Sequence, residues 1–155
     1  MRRERDTIVE TAYASLRRAA TRRYGAAGRE EIRRRLDRLY DEVLQGVASR
    51  DLGPIVAYAR GLARERFDAG YDLSEVQTAF NALEEATWTS ICLRLPPERL
   101  SLALGLVGTV LGAAKDALAR EYVALATKHH APSLDLRALF DGGAGVWDAE
   151  ATVRS

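Results

Sequence analysis

His129 and His130 are the two histidines of the chain, and histidine is the side chain best suited to proton transfer or metal binding near neutral pH. Neighbours on a helix point about 100° apart, so this pair cannot close on one ion. Both lie just before Pro132, near a helix C-terminus, where partial positive charge is favoured. A haem would need a histidine in mid-helix facing a cavity, and neither position offers that. Glu30-Glu31 and Glu84-Glu85 are adjacent carboxylates. Acid–base work needs two carboxyls converging on one point, and helical neighbours diverge. The run 141–145, Asp-Gly-Gly-Ala-Gly, has no preceding strand and no Lys-Ser/Thr to cradle phosphate, and reads as a linker. Cys92 stands alone, which excludes an internal disulfide and a cysteine zinc site and agrees with a reducing cytosol. The sequence therefore names no catalytic, cofactor-binding or metal-ligating residue, and points to binding or signalling rather than to an enzyme.

The apolar spacing predicts helices throughout. Ile8, Ala12, Leu16 and Ala19 make one stripe of a first helix over residues 3–24, broken by Gly25 and Gly28. Ile32, Leu36, Leu39, Val43 and Val47 line a second, over residues 29–49. Asp51 is the expected N-cap of a third, with Pro54 in its first turn and Ile55, Ala59, Leu62 and Phe67 inward. Gly70 ends it. Asp72 with Glu75 forms a capping box for a fourth, ending near Leu95, with Val76, Phe80, Leu83, Thr87 and Ile91 on one face. Pro96-Pro97 separates it from the longest, residues 97–130. There Leu104, Val107, Leu111 and Leu118 form the main stripe, and Leu102, Leu106 and Val110 make the opposite side apolar as well. The expectation is an all-α, five-helix bundle around a long fifth helix buried on every side. Residues 1–131 form the domain, and residues 132–155 a weakly ordered tail with a short helical turn over 134–140.

At 155 residues, 47% hydrophobic and 29% charged, the chain has the composition of one soluble domain. Net charge is +1, so no global field draws in nucleic acid or a membrane surface. Residues 1–38 carry twelve arginines, but these alternate with acids and lack interleaved aromatics, so they read as a solvated face. The longest uncharged run, residues 100–114, is short of the roughly 20 residues that span a bilayer.

Gly105, Gly108 and Gly112 share one side of the fifth helix. Small residues at this spacing admit either a closely packed helix or a small apolar ligand. Tyr13 on the first helix, and Trp88 and Leu95 on the fourth, lie on apolar flanks and are the candidate interface of a homodimer.

The stretch 59–75, ARGLARERFDAGYDLSE, followed by Phe80 and Trp88, resembles the RsbR-type N-terminal domains of bacterial stress-signalling complexes, the stressosomes. Similar helix–corner–helix segments occur in PucR-type regulators. The resemblance implies a globin-like, non-haem helical domain serving as a sensory or docking module. It also implies a homodimer and a regulatory protein partner. Family members usually continue into a signalling domain, so an excised sensor or a stand-alone relative is expected here.

Overall fold

The computed structural model describes residues 2–19 and 28–130. They form five helices: α1 (Arg2–Arg18), α2 (Arg29–Ser49), α3 (Gly53–Asp68), α4 (Leu73–Arg94) and α5 (Pro97–His130). No strand occurs among the described residues, and the all-α class and helix order agree with the sequence reading. Gly25 and the tail from residue 132, with its expected turn and glycine linker, lie outside the described residues. The chain divides into two units, Met1–Leu125 and Ala126–Ser155, and α5 crosses the division.

Within the first unit α1 packs against α4 and α2, and α2 packs against α3 and α4. Each contributes its periodic apolar stripe to one core. Val9, Ile32, Leu36, Val43, Ile55, Phe80, Leu83, Leu111 and Leu118 are the large side chains closed most completely from water. Alanines at 12, 59, 63 and 114 are fully buried, which lets helix axes approach. Gly46 is the closest such approach. A Cβ there would stand 2.9 Å from Val110 Cγ1, so α5 seats a branched side chain directly on the α2 backbone.

The corners are fixed by local bonds. Asp51 does not cap α3 as expected. Leu52 holds the N-cap position, and Asp51 Oδ1 instead accepts from the Gly53 amide at 2.8 Å. The shift is one residue, because Pro54 fits the first turn and draws the helix start toward itself. The capping box of α4 forms as read: Glu75 Oε2 accepts from the Asp72 amide at 3.0 Å, and the Asp72 side chain accepts from the Glu75 backbone. Gly70 has φ 78°, a left-handed conformation that any side chain would strain. Tyr71 then turns back into the structure, its carbonyl accepting from Tyr122 Oη at 3.1 Å.

The coverage of α5 differs from the sequence expectation. Val107, Val110, Leu111, Ala114, Ala117, Leu118 and Tyr122 are buried, and they occupy one side only. On the opposite side Leu102 is 60% exposed and Val123 63% exposed. Apolar composition all round was read as burial all round. Glycine, alanine and leucine supply that composition here, and a Cβ built on Gly105, Gly108 or Gly112 would meet nothing within 4 Å among the described residues. By length and composition alone α5 is apolar enough to cross a bilayer, with mean hydropathy 1.5 in the stretch concerned, of which 33% is buried. Its inner stripe packs on α2 through Gly46, on α3 through Phe67 edge-on to Tyr122 at 5.7 Å, and on α4 through Lys115 bonded to Glu84 at 2.7 Å.

Candidate functional site

Two concavities stand out, one apolar and one charged, at opposite ends of α2. The apolar one is an open groove of about 710 Å³ where α1, the C-terminal halves of α2 and α4, and the start of α5 converge. Ile8, Tyr40, Thr87 and Val107 form its buried floor. Leu44, Leu95, Leu102 and Leu106 form its apolar walls. The helices leave this end open because α5 packs on one side only, and its first turns overhang rather than close the gap.

Charge is confined to the rim. Arg5 Nε donates to Asp37 Oδ1 at 2.9 Å, and Arg5 Nη2 donates to Asp41 Oδ2 at 2.8 Å. The bond to Asp37 raises the Arg5 pKa further. Arg94 Nε lies 3.6 Å from Glu4 Oε1 at the same end. The Tyr40 phenol is pushed up by burial, with the Glu4 carboxylate adding to it, and so remains neutral in the floor. An apolar bed with a few polar groups at its margin suits an apolar ligand or a partner side chain.

The charged concavity is a cleft of about 670 Å³ between the N-terminal half of α2 and α3, walled by Arg34, Arg35, Arg38 and Arg66. Tyr58 lies in its wall beneath the Arg38 guanidinium, 5.6 Å from the ring centroid. Burial pushes the Tyr58 phenol from its ordinary 10.0 up to about 12, against the opposing influence of Arg38. The folded state thus keeps a proton that the unfolded chain releases at lower pH. This stabilisation is complete below pH 10 and is lost as pH rises toward 12. Tyr58→Phe is expected to flatten the decline, by about 1–2 kcal/mol after allowing for partial exposure. Urea melts at about pH 9 and about pH 11 measure it, and Tyr40, shifted in the same direction, leaves a residual slope.

The residues singled out from sequence are dispersed. A Cβ built on Gly105, Gly108 or Gly112 meets nothing within 4 Å, so among the described residues no helix packs closely there. The close approach expected of them occurs at Gly46 instead. None of the three lines the groove, although it lies beside the same helix. Leu95 does line it. Trp88, 42% exposed, lines a separate hollow of about 470 Å³ on α4 with Cys92 and Leu93. Tyr13 lies under Arg29, whose guanidinium is 5.4 Å from the ring centroid. His129 is exposed at the end of α5. Among the described residues no three His, Cys, Asp or Glu side chains converge as a metal site would require. Sequence reasoning missed Arg66, which is 5% exposed on a helix face otherwise made of Ile55, Ala59 and Ala63. Its i+3 spacing from Ala63 was the available signal.

Comparison with curated proteins and with solved structures gives no match. A family model described as the RsbT co-antagonist protein rsbRD N-terminal domain matches residues 6–131. That match takes in all five helices, from the core stripe of α1 to the last residue of α5, and agrees with the resemblance carried by the α3–α4 corner. The chain belongs to the family of rsbRD N-terminal domains, which are regulatory sensory domains.

Proposed function

We propose that this domain is a non-enzymatic cytoplasmic sensor that works as a homodimer and passes its state to a regulatory protein partner. The family description names co-antagonism of RsbT, and the reading places this domain in the same kind of stress-signalling assembly. One observation carries it: α5 is apolar around its circumference, yet the described residues bury one side of it. Leu102, Gly105, Thr109 and Gly112 recur along the open side at three- and four-residue steps, all exposed. Leucine beside glycines is a surface on which a second α5 packs at short range. The α4 flank with Trp88 and Leu95, together with Tyr13 on α1, is then left for the protein partner.

Sedimentation equilibrium at about 50 μM tests the dimer. A dimer is expected for the wild type, and a monomer of unchanged helical content for Leu102→Glu combined with Gly112→Arg. A wild type that sediments as a monomer would overturn the reading. A second reading rests on the groove, whose 710 Å³ lies in the range of small-molecule pockets. On that reading a small apolar ligand occupies it, and native mass spectrometry of the purified protein should find a copurified adduct that Leu106→Arg removes.

A further inference from the structure

The cleft between α2 and α3 holds more positive charge than its surroundings neutralise. Four guanidiniums line it, of Arg34, Arg35, Arg38 and Arg66, against two carboxylates, of Glu31 and Glu65. Glu31 is fully engaged: Oε1 accepts from Arg35 Nε at 2.8 Å, and Oε2 pairs with Arg34. Arg38 has its guanidinium over the Tyr58 ring and no carboxylate within ion-pair distance among the described residues. Arg66 is the most constrained of the four. Its side chain is 6% exposed, and its carboxylate partner is Glu65 at 3.3 Å, itself 66% exposed. An ion pair to a carboxylate so open to water is weak, because solvent screens it. A guanidinium carries five N–H donors in a planar fork; burying its charge costs desolvation, but no Arg66 nitrogen is both closed from water and without a partner, so its remaining donors face the cleft. The Tyr71 ring offsets part of that cost, with the Arg66 guanidinium 5.5 Å from its centroid.

We infer that this cleft binds a small, multiply charged oxyanion, a phosphate- or carboxylate-bearing metabolite whose oxygens bridge Arg38 and Arg66. Forked guanidiniums recognise such groups in pairs, which a lysine cluster would not do with the same geometry. The position also gives the bound anion something to move. Tyr71 lies between two of the four arginines: Arg35 Nη1 donates to its hydroxyl at 3.2 Å, and Arg66 covers its ring. The same residue's carbonyl holds Tyr122 of α5. An anion that draws Arg66 toward the cleft loosens its hold on Tyr71, and so reaches α5 through one residue. Arg35, Tyr58, Leu62 and Arg66 also wall a small cavity of about 20 Å³ that reaches Val76 and Phe80 of the core, so the cleft floor rests directly on packed side chains.

Inorganic pyrophosphate and citrate, titrated into the whole chain at constant ionic strength, test the site. Calorimetry gives the stoichiometry, and amide NMR shifts give the location. Saturable binding of one anion per chain is expected, with shifts centred on Gly61, Leu62 and Tyr71. The exposed pair Arg34→Glu with Arg38→Glu should weaken it at least about tenfold while the melting temperature without anion stays near that of wild type. Tighter binding of pyrophosphate identifies a phosphate ligand, and tighter binding of citrate a carboxylate. The inference is overturned if neither probe saturates below about 10 mM, or if the double charge reversal binds like wild type.

Discussion

Leu111→Asp is expected to abolish the fold at room temperature, whereas Leu102→Asp on the same helix keeps wild-type helical content in dilute solution. Leu111 is fully buried on the inner stripe of α5, between Val110 and Ala114. A carboxylate there is closed from water, and Lys115 one turn on is already held by Glu84 at 2.7 Å. An isolated charge in such a place costs several kcal/mol or forces protonation, and removal of the leucine adds a cavity or packing defect. The combined loss is comparable to the roughly 5–15 kcal/mol that holds a domain together. Leu102, 60% exposed, faces outward and loses little. Far-UV circular dichroism of both variants checks the pair. Equal behaviour would mean that α5 lacks the single inner side described above.

Phe80→Ala is expected to cost about 3–5 kcal/mol, the usual range for a buried phenylalanine. Phe80 is 1% exposed and heads the largest fully buried side chains. It already borders the 20 Å³ cavity beneath the arginine cleft, so truncation enlarges an existing void rather than letting the walls collapse. That places the expected loss at the upper end of the range. A urea melt should show a lower midpoint with an unchanged slope. A loss below about 1 kcal/mol would show that the surrounding helices close over the gap.

The helices were legible in the sequence because each carries its own evidence. Ile32, Leu36, Leu39 and Val43 repeat at the helical period, and all four are buried. Asp72 and Glu75 are a local device, and their bonds form whatever the rest of the chain does. Burial of α5 was harder to read, since periodicity reports which residues are apolar and not how many neighbours are available. Among the described residues, the helices that pack on α5 bury one side of it. The arginine cleft was hidden for a related reason. Arg34, Arg35 and Arg38 look like solvated residues on their own helix. They acquire a role only when α3 brings Arg66 and Tyr58 opposite them. That pairing is set by the connection over residues 50–52, where Arg50 is left-handed at φ 55°, and its sequence shows a break but not how α3 folds back on α2.

The seat of Val110 on Gly46 has a mechanical consequence. A branched methyl lodged against bare backbone acts as a pawl in a notch. Sliding α5 lengthwise would drive that methyl into the next turn of α2, while tilting about it displaces little. Within the unit that ends at Leu125, this contact therefore favours rocking of α5 about residue 110 over sliding.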